Sequence, residues 1–335
     1  MRITRRSAMK IGMAGVLAAS VSGAAKEAEG ARRSLRLGGP VFLKTDDPAL
    51  LAKEHRRLEY GAAYCPEFAT LDDLKTVREI ERSFAAENVI IAEVGAWRNM
   101  LDPDTAKRSA NLEYVVQRCA LADEIGARCC VDIAGSFNKD SWYGPDPRNL
   151  SEEFFEQTVQ NCRYILDHVK PKRTRFTIEM MGWNLPDGPD AYLELIKAVD
   201  RKAFAVHLDI CNGINSPRRF YENSAFIREC FKKLGPSIVS CHGKDLKWII
   251  EYNVRFKEVA PGSGQIDYGT YIDEIARLDA DIPLMLEHLN TEAEYDDGRK
   301  YIQALAASRG LVLNPAPLRI SVTTPADRSS REGSI

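Results

Sequence analysis

Glu179, Asp209, His242 and Glu287 are the residues whose chemistry most needs an explanation. Each closes a short run in which apolar side chains alternate with small or polar ones: Phe176-Thr-Ile-Glu179, Phe204-Ala-Val-His-Leu-Asp209, Val239-Ser-Cys-His242 and Leu284-Met-Leu-Glu287. Alternation with period two marks a strand, whose side chains point to opposite faces in turn. Phe204, Val206 and Leu208 then share a greasy face, while Ala205, His207 and Asp209 share the other. The four ends are separated by 30, 33 and 45 residues, and the first two intervals are about one βα unit of roughly 30 residues. Three carboxylates and an imidazole converging on one rim would repel or stay unsatisfied unless a cation lay between them. The set is richer in oxygen than a structural zinc site. It suits manganese, magnesium or cobalt with positions open to substrate, and zinc fits it too. One divalent metal ion is expected, manganese first.

The elements that must position these groups follow from the rest of the pattern. Strands are predicted at 35–39, 59–64, 88–93, 128–133, 174–179, 203–209, 237–242 and 283–287. Amphipathic helices are predicted at 47–57, 70–87, 109–126, 151–169, 189–199, 217–234, 268–278 and 294–309. Asp187-Gly-Pro189 and Ser216-Pro217 are helix-start signals. Eight strands alternating with eight helices make, by count, a single closed parallel (β/α)8 barrel, an α/β fold with its active site on the C-terminal rim.

The chain ends read differently. Arg2, Arg5, Arg6 and Lys10 precede an apolar run over 11–25, too short to span a bilayer comfortably. With Thr4-Arg5-Arg6-Ser7-Ala8-Met9-Lys10, residues 1–25 are expected to be a twin-arginine-type export signal, although Ala8 stands where an aromatic is usual. A linker over 26–34, a catalytic barrel over 35–313 and a disordered tail over 314–335 complete the expected organisation. The destination would be the periplasm, and the folded-state route would let a metal be loaded before export. No second stretch is long and apolar enough for a membrane helix. The formal net charge is −2 over 335 residues, without a basic run outside the leader, which argues against nucleic acid as a partner. The eight cysteines contain no CxxC pair, and Cys129, Cys130, Cys211 and Cys241 read as small buried hydrophobes in or beside strands.

The pieces Thr-Ile-Glu179-Met, His207-Leu-Asp209, Ser-Cys-His242-Gly-Lys244-Asp245, Pro261-Gly-Ser-Gly264-Gln-Ile-Asp267-Tyr and Leu-Met-Leu-Glu287-His together resemble the xylose isomerase-like barrel superfamily. That group holds sugar-phosphate isomerases and epimerases, ketose 3-epimerases and inosose dehydratases. The resemblance spans about residues 35–310 and implies a metal site at the four residues above. In its ketose 3-epimerases two glutamates ligate the metal and exchange the substrate proton, a role that falls here on Glu179 and Glu287. Those enzymes carry a histidine three residues after the metal aspartate, where this chain has Asn212. The implied chemistry is proton transfer beside a carbonyl through an enediolate, with a small sugar as partner.

Further candidates are Glu93, Trp183, Asn212 and Lys244 for substrate contact; Lys244 would hold a substrate oxygen or orient a carboxylate, balanced against a surface pair with Asp245. His207 is expected to support the metal ligands from below. Trp97 and Asn184 sit in rim loops; His288 is expected on the greasy side, and His55 and His168 on helix surfaces. Gly262 and Gly264 suggest a tight loop. Elimination from an oxidised glycoside or inosose is the nearest rival to epimerisation. An abasic-site endonuclease is disfavoured by five histidines, two of them on helices. A non-catalytic sugar-binding barrel would be expected to lack a ligand. Assembly into homo-oligomers is left open.

Overall fold

The structure is a computed structural model that describes residues 33–315. The expected leader, nearly all of the expected linker and most of the expected tail lie outside the described residues. Eight parallel strands close into a barrel: β1 (Ser34–Gly38), β2 (Ala62–Tyr64), β3 (Ile90–Gly95), β4 (Cys129–Asp132), β5 (Phe176–Glu179), β6 (Phe204–Asp209), β7 (Ile238–Gly243) and a last one at Pro283–Leu286. Closure is direct, because that last strand pairs with both β7 and β1.

Between the strands run α1 (Pro48–Arg57), α2 (Leu74–Ala86), α3 (Thr105–Ile125), α4 (Glu152–Val169) and α5 (Pro189–Val199). After β6 come a four-residue turn of helix, α6 (Ile210–Gly213), then α7 (Pro217–Tyr221) and α8 (Asn223–Leu234). The helix predicted over 217–234 is thus broken at Glu222. Asp47, Asp104 and Ser216 cap α1, α3 and α7 through backbone N–H groups of the first turn, the usual use of a short oxygen-bearing side chain there.

One insertion was not foreseen. Between β7 and the last barrel strand lies an antiparallel hairpin, β8 (Asp245–Trp248) and β9 (Phe256–Val259), before α9 (Tyr268–Ile275). It accounts for the 45-residue interval. The last barrel strand is therefore β10, followed by α10 (Glu292–Ser308) and a short β11 (Val312–Leu313) on the lower part of β1. Asn314, expected to open the tail, is tied to β1: its side-chain oxygen accepts from Leu37 N at 3.0 Å.

Alternation sorts the strand residues into two layers. Phe176, Ile178, Phe204, Val206, Leu208, Cys241, Leu284 and Leu286 pack outward in the main core beneath the helices. Inside the barrel, Ala62, Ala92 and Met285 form a small apolar cluster with Tyr64 and Ile90 against it. Arg36 lies in the lower part of the barrel, buried, and donates from Nε to Asp281 at 2.6 Å. The interior is thus filled by side chains, as expected of this architecture. Toward the C-terminal rim it turns strongly polar, with Glu93, His207 and Ser240 buried there.

All eight cysteines are buried and unpaired, the small-hydrophobe behaviour expected of four of them. No described helix is long and apolar enough to cross a membrane.

Candidate metal centre at the barrel mouth

Glu179 and Asp209 are the last residues of β5 and β6, His242 is the fifth of β7, and Glu287 immediately follows β10. All four are buried, and each offers one ligand atom within 4.8 Å of the others. Ligands around one ion at about 2.0–2.3 Å span up to roughly 4.5 Å, so small movements would close the set on a single cation. His242 Nδ1 stands 3.1 Å from Glu179 Oε1, 3.1 Å from Glu287 Oε2 and 3.8 Å from Asp209 Oδ2. Asp209 spends its other oxygen on Asn212 N at 3.0 Å. Its Oδ2 is buried without a hydrogen bond, although Lys244 Nζ approaches to 2.9 Å.

The electrostatics point the same way. Burial pushes the Asp209 carboxyl up, to about 7, with Glu179 and Glu287 adding to the rise and Lys244 opposing it. Burial also raises Glu179 and Glu287, but His242 and Lys244 outweigh it and hold both below the ordinary carboxylate range. Lys244 Nζ lies 2.7 Å from Glu287 Oε1 and 3.2 Å from Glu258 Oε1. One ammonium and one dication would neutralise the three carboxylates; without the dication Asp209 holds a proton instead. An orphaned buried oxygen and three oxygen donors with one nitrogen fit a hard or borderline divalent ion.

Beneath the rim, His242 Nε2 faces Glu93 Oε2 at 3.2 Å, and His207 Nε2 faces Glu93 Oε1 at 2.9 Å. Ser240 Oγ donates to the same carboxylate. With Nε2–H given to Glu93, the Nδ1 lone pair is left for the cation, the carboxylate–histidine–metal arrangement that fixes tautomer and ring orientation.

Above it opens a cleft of about 610 Å³ whose lining includes Glu179, His242 and Glu287 on the floor and Trp97, Trp142 and Trp183 on the walls. Trp97 and His288 hold backbone φ of 45° and 55°, a left-handed conformation uncommon for bulky side chains. Gly95 makes room for the first of them, since a methyl there would collide with the Trp97 indole.

The sequence profile described as the xylose isomerase-like TIM barrel matches residues 57–305. The chain belongs to that family. Its fold is shared by a xylose isomerase-like TIM barrel protein from Mycobacterium smegmatis solved with magnesium (19% identity, TM-score 0.58, 78% of this chain and 88% of that one). It is shared also by the probable 3-DHS dehydratase AsbF from Bacillus anthracis (16%, 0.61, 82% and 99%). A third is the 3-keto-D-glucoside 4-epimerase YcjR from E. coli (11%, 0.59, 82% and 100%). No curated protein sequence matches the chain.

In this xylose isomerase-like barrel several candidates sit elsewhere than expected. Glu93 is not on the cleft surface; it lies under His242, bonded to two imidazoles, and they pull it down despite its burial. Lys244 does not pair with Asp245 but turns inward to Asp209, Glu287 and Glu258. Asp245 instead accepts from Gly262 N, Gly264 N and Ile266 N, holding the loop around Gly262, whose φ is 88°. His288 is not on the greasy side: the strand ends at Leu286, so alternation lapses, and its ring reaches the cleft to meet Glu258 Oε2 at 3.0 Å. His55 is buried against Leu51 O rather than on a helix surface, while His168 is exposed.

Asn212 and Trp183 do line the cleft, and Asn212 Nδ2 donates to Glu179 Oε1 at 3.0 Å. Asn184 is buried and donates to Gly135 O, packing its loop. Glu258, Tyr64 and Asp132 were missed. Glu258 comes from the unforeseen hairpin; Tyr64 lies across from Glu93 only because the β2–β3 register slips there. Asp132 ends β4 and accepts from Arg98 N at 3.0 Å, and its strand-terminal position was the available signal.

Proposed function

We propose that the protein is a divalent-metal-dependent sugar isomerase or epimerase that moves a proton beside the carbonyl of a keto-sugar. The observation that carries this reading is the placement of two carboxylates, Glu179 and Glu287, each 3.1 Å from His242 Nδ1 at the floor of one cleft. The bound cation would polarise a carbonyl and its neighbouring hydroxyl, which acidifies the C–H between them and favours an enediolate. Glu179 and Glu287 would then take the proton from one face and return one to the other. Asn212 orients Glu179 by its amide, and Lys244 orients Glu287 by its ammonium. Glu93 holds the His242 ring from beneath.

The described lining carries neither arginine nor lysine on the cleft surface, which favours an uncharged sugar over a phosphorylated one. The twin-arginine-like leader, which would carry the activity outside the cytoplasm, supports the same choice. The fold neighbours include a protein named as a 3-keto-D-glucoside 4-epimerase. Manganese is our preferred ion.

Elimination is the second reading. It draws on the His288–Glu258 pair at the cleft, which could protonate a departing oxygen, and on a fold neighbour named as a probable dehydratase.

The test is product analysis by NMR after incubating the manganese-loaded protein with ring-keto and open-chain keto-sugars in D2O. Solvent deuterium at an inverted carbon supports epimerisation, and an unsaturated product supports elimination. Failure of every sugar to exchange or react would contradict both.

A further inference from the structure

Three of the chain's four tryptophans line the one cleft above the metal centre. Trp142, Tyr143 and Trp183 stand there 40%, 47% and 44% exposed. Such a concentration of exposed aromatic surface is unusual on a protein without a partner for it. The surface is also built. Trp183 Nε1 donates to Tyr143 O at 2.6 Å, joining the loop after β5 to the loop after β4. Trp142 meets Tyr143 edge-on, with ring centroids 5.2 Å apart.

The β4 loop beneath them is pinned from inside. Asn138 Oδ1 accepts from Asp140 N and Ser141 N, and its amide donates to Pro145 O. Buried Asn149 accepts from Phe137 N and donates to Gly144 O. The aromatic faces are therefore held in place before any ligand arrives, which lowers the entropic penalty of binding.

A single sugar ring engaged by Glu179, His242 and Glu287 would occupy only part of the cleft that these aromatics line. The cleft volume, about 610 Å³, lies well within the range of roughly 300–1,000 Å³ that accommodates larger, drug-sized ligands. Ring faces rich in C–H or π surface stack well on indole and phenol rings.

We infer that Trp142, Tyr143 and Trp183 form a subsite for a second ring, so that the substrate is a glycoside rather than a free monosaccharide. This rests on the keto-sugar reading and sharpens it. A ring joined through the anomeric oxygen blocks that carbon from serving as the carbonyl. The reacting carbonyl must then be a ketone within the sugar ring. An aromatic aglycone and a second pyranose share the stacking chemistry that the subsite would recognise.

Calorimetry on the manganese-loaded protein tests this with three 3-keto-glucosides, bearing methyl, phenyl or glucosyl at the anomeric oxygen. Deuterium exchange from D2O into the same compounds is recorded separately. At least one ring-bearing glycoside should bind about tenfold more tightly than the methyl one, roughly the gain from one stacked ring. Which of the two does so identifies the ring. The ratio should fall to near one in Trp142→Ala/Trp183→Ala, and return in Trp142→Phe/Trp183→Phe, which keeps the rings. Phe42→Ala, on the opposite side of the rim against Tyr295, should leave the ratio unchanged. Equal binding of all three glycosides, or a preference that survives loss of both tryptophans or depends on Phe42, overturns the subsite. Platform-dependent binding without exchange would leave the subsite standing and contradict the proton-transfer reading. Exchange without any ring preference would do the reverse.

Discussion

At the residue scale, the site is a problem of buried charge. Glu179, Asp209 and Glu287 are out of water with one ammonium, Lys244, among them. Asp209 carries the strain, its carboxyl pushed up to about 7 by burial. A raised carboxyl pKa means that the folded, metal-free protein keeps a proton that the unfolded chain loses near pH 4. That contribution to stability is full below the unfolded pKa and is lost as the pH rises through about 7. Burial opposes protonation of His242, but Glu287, Glu93 and Glu179 outweigh it and hold the imidazolium above its ordinary range. A cation must displace both protons. Manganese affinity should therefore rise steeply up to about pH 7, by about tenfold per pH unit for each proton expelled, and less steeply above it. Calorimetry in buffers of different ionisation enthalpy measures this, and an affinity independent of pH between 5.5 and 8.5 would contradict it. Glu93→Gln should weaken metal binding by about 10- to 100-fold through the loosened His242 ring. Glu179→Gln and Glu287→Gln should each lower turnover by at least about 100-fold, the usual scale of a lost acid or base, while circular dichroism stays native. Turnover preserved in both would remove their assigned roles.

At the element scale, the strands β5, β6, β7 and β10 were legible because each alternates cleanly and ends on a charge that a greasy face cannot explain. Phe204, Val206 and Leu208 pack outward while His207 and Asp209 point inward, as period two requires. Side chains just past strand ends were not legible. His288 follows β10 by two residues and takes a left-handed backbone that no alternation rule foresees. Lys244 lies between β7 and the hairpin, and sequence could not tell that it turns to Asp209 rather than Asp245. The hairpin bearing Glu258 was hidden because Phe256-Lys-Glu-Val259 does not alternate, although the 45-residue interval gave room for it. The rim is also sensitive to a single added atom. Gly95→Ala should push the Trp97 indole off the wall beside His242, where the rings stand 6.4 Å apart. We expect about 1–3 kcal/mol of destabilisation in urea, the range for overpacking a filled site, together with shifted tryptophan emission. Unchanged stability and emission would show that the loop has slack.

At the scale of the whole molecule, the four groups tie together strands from β5 to β10 in a barrel whose last strand closes on its first. A ligand held by the folded state alone stabilises it by mass action, by about 2.7 kcal/mol at a hundredfold excess over Kd. Manganese should accordingly raise the unfolding temperature by several degrees, and a chelator should reverse the shift. Asp209→Asn should respond far less. The most direct measurement is anomalous diffraction from crystals grown with manganese. The account predicts one strong peak at about 2.0–2.3 Å from an oxygen each of Glu179, Asp209 and Glu287 and from Nδ1 of His242. A manganese-loaded crystal with no peak among those four side chains, or with its peak elsewhere, would contradict the metal centre and the sugar chemistry built on it.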